Sequence, residues 1–429
     1  MGGMSTVATV QPLTDDEVAA FRRDFPALAQ SVNGHPLAYL DSAATSEKPV
    51  QVLDAERTYL EHQNAAVHRG AHTLAAEATE LFEHARSRVA RFIGALDDEV
   101  VWTSNATAAA NLVAYSLGNL PAGSPLAFGS GDEIVVTELE HHANLIPWQQ
   151  LAARTGATLR YIPIDDQGEL RLDDLDSIVT ERTRLIAVAH VSNVLGAVTP
   201  IAELVRRGRQ VGALVALDAC QSAPHLPLDV KALDVDFAFF SGHKMLAPTG
   251  IGVLYGRRAL LDAMPPFLTG GSMITTVTME SAEFLPAPQR FEAGTQPVSQ
   301  AIALAAAIDY LDAIGMPRIA LHEAELGAAL VAGLGAIPGI RVLGADSSAP
   351  RVGLAAFTLD GVHAHDLGQF LDDRGIAVRV GHHCAQPLHR RLGTTASTRA
   401  STYLYTTRDE IDRLFEAVEG AAAFFGAHT

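Results

Sequence analysis

Between residues 95 and 260 the chain alternates short apolar runs with longer amphipathic ones, and this alternation restricts the fold more than any other feature. The apolar runs at 133–137 (EIVVT), 159–163 (LRYIP), 184–189 (RLIAVA), 213–217 (ALVAL), 235–240 (VDFAFF) and 252–255 (GVLY) read as strands, and 145–155 and 201–212 as helices between some of them. Strands that alternate with helices build βαβ units, so the spacing predicts an α/β fold with a mainly parallel sheet covered on both faces. Such sheets bind ligands beyond the carboxyl ends of their strands. The residues at those ends are therefore the first candidates for chemistry.

After the sheet region, 297–314 reads as a long buried helix opened by Pro297 and closed by Gly315. A smaller α/β unit follows, with strands expected at 353–359, 377–380 and around 401–404, and a helix at 365–374. The last helix opens at Thr407 with Glu410 at capping-box spacing. The Pro/Gly/Ser-rich stretch 121–132 (PAGSPLAFGSGD) reads as an exposed connector. The expected organisation is a disordered tail over 1–15, a large ligand-binding domain over 16–310 whose N-terminal segment could pack on the smaller unit, and a small C-terminal domain over 311–429.

Charge and cysteine usage narrow the function classes. A net charge of −18, with no Lys/Arg stripe, argues against a nucleic-acid footprint and favours a small-molecule substrate or a protein partner. No run approaches the roughly 18 apolar residues of a membrane span, and the opening MGGMSTVATVQPLTDDE has neither the basic nor the apolar region of a signal peptide. Two cysteines, Cys220 and Cys384, form no disulfide framework and fit a reducing compartment, which points to the cytoplasm.

The strand ends carry an ordered set of chemical groups. ALVAL ends in Asp218, with Gln221 just beyond, and a buried carboxylate is costly unless something positive pairs with it. VDFAFF empties into Ser241, Gly242, His243 and Lys244. The run at 184–189 leads to His190 and Asn193, and EIVVT leads to Glu138-Leu-Glu-His141-His142. Pyridoxal phosphate needs that set: a lysine for its aldehyde, a carboxylate to hold a proton on its pyridinium nitrogen, and hydroxyls with free N–H groups at a helix N-terminus for its phosphate. Ser104, Ala106 and Thr107, after a strand at 100–103, offer such a start. Each residue also has a plainer reading. Lys244 could be an exposed loop lysine, Asp218 the cap of a helix opening at Ala219, and His141 and His142 surface or metal-binding histidines. The plainer readings leave the ordered series over four strand ends unexplained.

In RVGHHCAQP, Cys384 follows Arg379, His382 and His383 at the end of a strand of the smaller unit. A guanidinium and two imidazoles beside a thiol favour its thiolate. The His-His-Cys run could instead bind metal, but three adjacent ligands do not readily close a tetrahedron and no C-x-x-C accompanies them, so no metal is expected. Cys220 reads as a buried structural thiol. The planar fork of Arg399 suits bidentate capture of a carboxylate, although a structural ion pair would use it equally well.

Taken together, ELEHHANLIPW, LDACQSAPH, SGHKMLAPTGIGVLYG, RFEAGT and RVGHHCA resemble the group II cysteine desulfurases of the Suf iron–sulfur assembly system, which are fold type I pyridoxal-phosphate enzymes of the class V aminotransferases. The similarity runs from Phe25-Pro26 to the C-terminal helix, and selenocysteine lyases share most of it. It implies an enzyme that converts L-cysteine to L-alanine, leaves a persulfide on Cys384 and passes the sulfur on for iron–sulfur cluster assembly; a selenocysteine lyase is the alternative. A kynureninase-like or epimerase-like reaction would have no use for the GHHC thiol. A non-enzymatic scaffold would not need Lys244, Asp218 and Cys384 together.

By this resemblance Lys244 would be the Schiff-base lysine and proton shuttle, Asp218 the partner of the pyridinium nitrogen, Gln221 that of the phenolic oxygen, and His141 the ring-stacking residue. Ala106, Thr107, Ser241 and His243 would hold the phosphate, joined by Thr295 from the other subunit of a homodimer. Asn193 and Arg399 would bind the substrate carboxylate and Cys384 would be the nucleophile. Arg379, His68 and Arg69 match further active-site positions, and His365 matches one that engages a zinc-containing sulfur acceptor. Two departures concern subunit contact: Ala108 stands where the family often has Glu, and Gln296-Pro297 follows Thr295 in place of a short Pro-Asn turn.

Overall fold

In the computed structural model, which describes residues 10–121 and 123–426, a seven-stranded sheet organises the chain. Its strands are β1 (Val100–Thr103), β2 (Glu133–Thr137), β3 (Thr158–Ile162), β4 (Thr183–Ala189), β5 (Leu214–Asp218), β6 (Phe237–Ser241) and β7 (Gly252–Gly256). The spatial order is β1-β7-β6-β5-β4-β2-β3. All pairings are parallel except those of β7, which runs antiparallel to both β1 and β6. Successive residues of one strand enter opposite cores: Ala238 and Phe240 pack on one face, Phe237 and Phe239 on the other. This is why the strands read as continuous apolar runs without a polar alternation.

A second, four-stranded antiparallel sheet contains β8 (Ile340–Val342), β9 (Leu354–Leu359), β10 (Arg379–Gly381) and β11 (Ser397–Ser401), in the order β8-β9-β11-β10. The strand expected around 401–404 thus lies four residues earlier. Ser397, Thr398 and Arg399 are all buried in it, and their polar side chains disguise the strand in a hydrophobicity pattern. One further bond, from the Thr402 amide to the Gly353 carbonyl at 2.7 Å, carries the pairing a residue past Ser401 before the chain leaves the sheet. The expected strand at 377–380 is two short ones: Ile376–Ala377 pairs in parallel with Ala38–Tyr39, and only Arg379–Gly381 joins the second sheet.

Two further expectations are modified. The tail expected over 1–15 lies outside the described residues up to residue 9, but Thr14 already caps the helix Asp15–Arg22 through a capping box. The helix Met316–Ala336 is long and apolar enough by composition to cross a membrane, although no purely apolar run marks it. Here it lays Leu326, Leu330 and Leu334 on the second sheet and buries His322 and Glu323.

Candidate active site

The carboxyl ends of β2, β4, β5 and β6 open into a cavity of about 400 Å³. Its wall includes Ala106, Thr107, His141, Asn193, Asp218, Gln221, Ser241, His243, Lys244, Arg379, Cys384 and Arg399. The strand order places the loops of four neighbouring strands side by side, which separates Asp218 and Lys244 in sequence but not in space.

One wall is the start of the helix Ala106–Gly118. Asn105 caps it by accepting the Ala108 amide at 2.9 Å, and the Ala106 amide donates to Ser241 Oγ at 2.9 Å, so the helix N-terminus is tied to the end of β6. The fit depends on Gly252 of β7. A Cβ there would lie 2.5 Å from the Asn105 Cα, and only glycine lets the strand pass beneath the helix start.

The sheet floor holds the titratable groups. Asp218 is buried and accepts the Cys220 amide at 2.9 Å. Burial raises its carboxyl above the ordinary value, opposed by that amide and by the charge of Lys244. Asp218 therefore does cap a local turn, as its plainer reading had it, while facing the cavity. Burial, reinforced by the charge of Lys244, pulls His141 down to about 3, so its ring is neutral at physiological pH. Its Nδ1 accepts the Ala143 amide at 3.0 Å, which fixes the ring's tautomer and tilt. Cys220, expected to be a buried structural thiol, is half-buried in the cavity wall beside Asp218; burial and that carboxylate push its thiol up.

The opposite wall comes from the second sheet. Arg399 on β11 donates one terminal nitrogen to the Asn193 carbonyl at 3.0 Å and the other to Asp41 Oδ1 at 3.2 Å, while its buried Nε has no partner. Cys384 lies beyond β10 in a turn where both His383 (φ 49) and Cys384 (φ 54) adopt left-handed backbone. Such conformations cost a non-glycine residue about 1 kcal/mol or more each, and the surroundings must hold them. The Cys384 carbonyl accepts the His142 amide at 2.7 Å, the Cys384 amide donates to His382 Nδ1 at 3.2 Å, and the His383 carbonyl accepts Asn193 Nδ2 at 2.7 Å. Loops of both sheets thus meet on the cysteine turn. Among the described residues no cluster of three or more His, Cys, Asp or Glu is arranged to hold a metal ion.

Four expected residues, His68, Arg69, Thr295 and His365, stay outside this cavity, Arg69 being exposed and donating to the Ile274 carbonyl at 3.4 Å. His68 is on the surface with φ 71, its Nε2 captured by Glu83 Oε1 at 2.9 Å and its ring against Phe82. Thr295 is exposed and lines an adjoining cavity of about 290 Å³ that shares Ser104 and Gly250 with the first. His365 is farther away, stacked on His363 at 5.5 Å on the small unit.

Two residues of the site do not stand out in the sequence. Asp41, which pairs with Arg399, ends the short apolar run 38–40 and obeys the strand-end rule that singled out Asp218. Glu140 is buried, accepts Thr137 Oγ1 at 2.6 Å, Asn144 Nδ2 at 2.5 Å and the Ala189 amide at 3.1 Å, and is pushed up to about 8 by burial.

The residues fit pyridoxal phosphate on grounds internal to the structure. Gln221 Oε1 is buried in the cavity wall without a hydrogen-bond partner, as is Arg399 Nε. An unpaired buried polar atom costs about 1–3 kcal/mol, and a ligand with matching polar groups would relieve both.

The chain is similar to known proteins over nearly its whole length. The profile of the class-V aminotransferases matches residues 38–414. A probable cysteine desulfurase of Mycobacterium leprae (strain TN) is 58% identical over 415 residues, covering 96% of this chain and 99% of its own. The apo structure of a cysteine desulfurase from Thermococcus onnurineus NA1 superposes with a TM-score of 0.88 at 38% identity, covering 95% of this chain and 98% of its own. A mutant of the protein C-DES with glycine linked covalently to its PLP cofactor superposes with a TM-score of 0.77 at 26% identity, over 93% of this chain and 98% of that one.

Proposed function

This chain belongs to the aminotransferase class-V family, and on that premise we propose how its cavity works as a pyridoxal-phosphate-dependent cysteine desulfurase. The enzyme takes L-cysteine to L-alanine. The observation that carries the reading is the convergence of Lys244, Asp218 and Cys384, from β6, β5 and the loop after β10, on one cavity.

Lys244 holds the cofactor aldehyde and moves the substrate Cα proton. Buried Asp218 would keep a proton on the ring nitrogen, and neutral His141 would stack on the ring. Ser241, His243 and Thr107 would hold the phosphate, with Ala106, whose amide is bonded to Ser241 Oγ, orienting that hydroxyl. When bound, the cofactor supplies an electron sink for the Cα electron pair and so weakens the Cβ–S bond. Arg399 and Asn193 take the substrate carboxylate, and Arg379 flanks the same wall. The Cys384 thiolate attacks the substrate sulfur: an S–S bond forms, the Cβ–S bond breaks, and the carbon accepts a proton to leave as alanine. Cys384 retains the sulfur as a persulfide for an acceptor protein of the Suf type that feeds iron–sulfur cluster assembly.

The same proposal includes a homodimer in which Thr295, and with it His68, serves the partner's cavity, supported by the exposure of both outside their own chain's cavity. Unpaired Cys220 and Cys384 support a reducing, cytoplasmic setting. We read 16–310 as the large domain and 311–429 as the small one, with the segment 38–41 packed on the latter, supported by the pairing of Ala38–Tyr39 with Ile376–Ala377.

Alanine released from L-cysteine in the presence of a reductant, measured for the native enzyme and Cys384→Ala side by side, tests the reading. Both proteins are expected to keep the cofactor's colour, with release lost only in the variant. Equal release from both would remove Cys384 from the sulfur step and favour selenocysteine lyase chemistry. Release from neither would overturn the assignment.

A further inference from the structure

The turn that carries Lys244 is gripped by a segment to which no role has been given. The carbonyl of His243 accepts four donors from residues 45–48: the Ser46 amide at 3.0 Å, Thr45 Oγ1 at 3.0 Å, Ser46 Oγ at 3.1 Å and Lys48 Nζ at 3.2 Å. A carbonyl oxygen has two lone pairs, so this one is oversubscribed. Lys48 Nζ also donates to its neighbour Ser46 O. On the far side of Lys244, Leu246 sits at φ 70, which a branched aliphatic residue avoids, and its amide donates to Ser46 Oγ at 2.8 Å.

The consequence follows from peptide geometry. The His243 carbonyl and the Lys244 amide share one rigid plane. Fixing the oxygen fixes that plane, and the Ser46 bond to Leu246 fixes the chain two residues later. The direction in which Lys244 leaves the backbone is therefore set from outside its own loop. The gripping segment is itself anchored to the second sheet's side of the molecule: fully buried Tyr405, which follows β11, accepts the Glu47 amide through its hydroxyl at 3.1 Å and bonds Ser42 Oγ at 2.9 Å.

We infer that Lys48 and Ser46 are positioning residues that hold the strained turn at 242–246 so that Lys244 Nζ points into the cavity. The inference rests on Lys244 as the cofactor lysine. Burial draws the Lys48 ammonium down to about 8, against a partial opposing pull from Glu47, as expected for a lysine spent on backbone acceptors and lacking a full counter-ion.

The test adds pyridoxal phosphate to the apoenzyme, follows the rise of the visible absorption of its lysine linkage, and locates the tagged residue by borohydride reduction and peptide mapping. Lys48→Met is expected to keep the native melting temperature of the apoprotein within a few degrees but to form the linkage about fivefold more slowly or worse, the ratio that one lost hydrogen bond commands. Lys48→Arg, which can still donate, should recover most of the rate. A native rate in Lys48→Met overturns the inference. Should that variant fail to fold, Ser46→Ala is read in its place, and a native rate there overturns it as well. Tagging of the native protein anywhere but Lys244 would instead overturn the site assignment, and is read without any variant.

Discussion

The Asn193 side chain donates to the backbone carbonyl of His383 at 2.7 Å, joining the loop after β4 to the turn that bears Cys384. Both residues are buried. This contact lets the central sheet control a strained turn that belongs to the other sheet. It also gives Asn193 a second task beside the proposed substrate carboxylate.

Asn193→Ala leaves that carbonyl without its donor, a loss of about 1–3 kcal/mol where the group stays buried. The turn should open more often, so amide exchange over 383–385 is expected to quicken, and kcat/KM for L-cysteine to fall about tenfold or more. Hydrogen-exchange mass spectrometry beside steady-state kinetics checks both. Native exchange with reduced activity would mean that Asn193 acts on the substrate alone.

Gly252→Ala would drive a methyl group into the backbone of Asn105, where neither element can yield cheaply. Overpacking of this kind costs about 1–3 kcal/mol. Because the displaced element is the helix start proposed to hold the phosphate, cofactor affinity should fall along with melting temperature. Equilibrium dialysis and thermal melts of the same preparation measure the two, and an unchanged cofactor affinity would separate Gly252 from the site.

Stability should be greatest near pH 6.5. Burial holds His190 at about 4 and, reinforced by the charge of Arg399, His383 at about 2, against an ordinary 6.5. Below about 6.5 the unfolded chain takes up protons that the folded imidazoles refuse, so stability is lost as pH falls from 6.5, down to about 4 for His190 and to about 2 for His383. Glu140 acts in the opposite sense: folded, it keeps its proton up to about 8, and unfolded it loses it near 4.5, so its contribution declines as pH rises between those values. Burial holds His141 at about 3 and His243 at about 4 in the same way, so four imidazoles outweigh one carboxyl on the acid side, each excess proton adding up to about 1.4 kcal/mol per pH unit. Denaturant titrations from pH 4.5 to 8 check the profile, and His190→Gln should flatten its acid limb. An acid limb that does not change in that variant would refute the part given to His190.

Much of the site is legible in the amino-acid sequence. The apolar runs mark β2 through β7 to within two residues; β2, β6 and β7 are buried along their whole length on both faces, whereas β3, at the sheet edge, is exposed at Thr158 and Tyr161. Asp218 and Lys244 stand out as charged groups next to runs that water does not reach. β11 is displaced from its expected position because burial there falls on serine, threonine and arginine, whose polarity imitates a loop. Asp41 and Lys48 pass unnoticed because nothing near them in sequence shows that their partners are Arg399 and His243.

The layered α/β plan, the strand ends, and the chemistry each end can offer are written into the chain locally, through periodicity and neighbouring residues. Which ends face one another is settled in three dimensions: Arg399 is shared between Asp41 and Asn193, His142 grips Cys384, and His68 and Thr295 stand outside the cavity. Those juxtapositions arise from strand order and the docking of two sheets, which depend on contacts between residues hundreds of positions apart and leave no periodic mark in the chain.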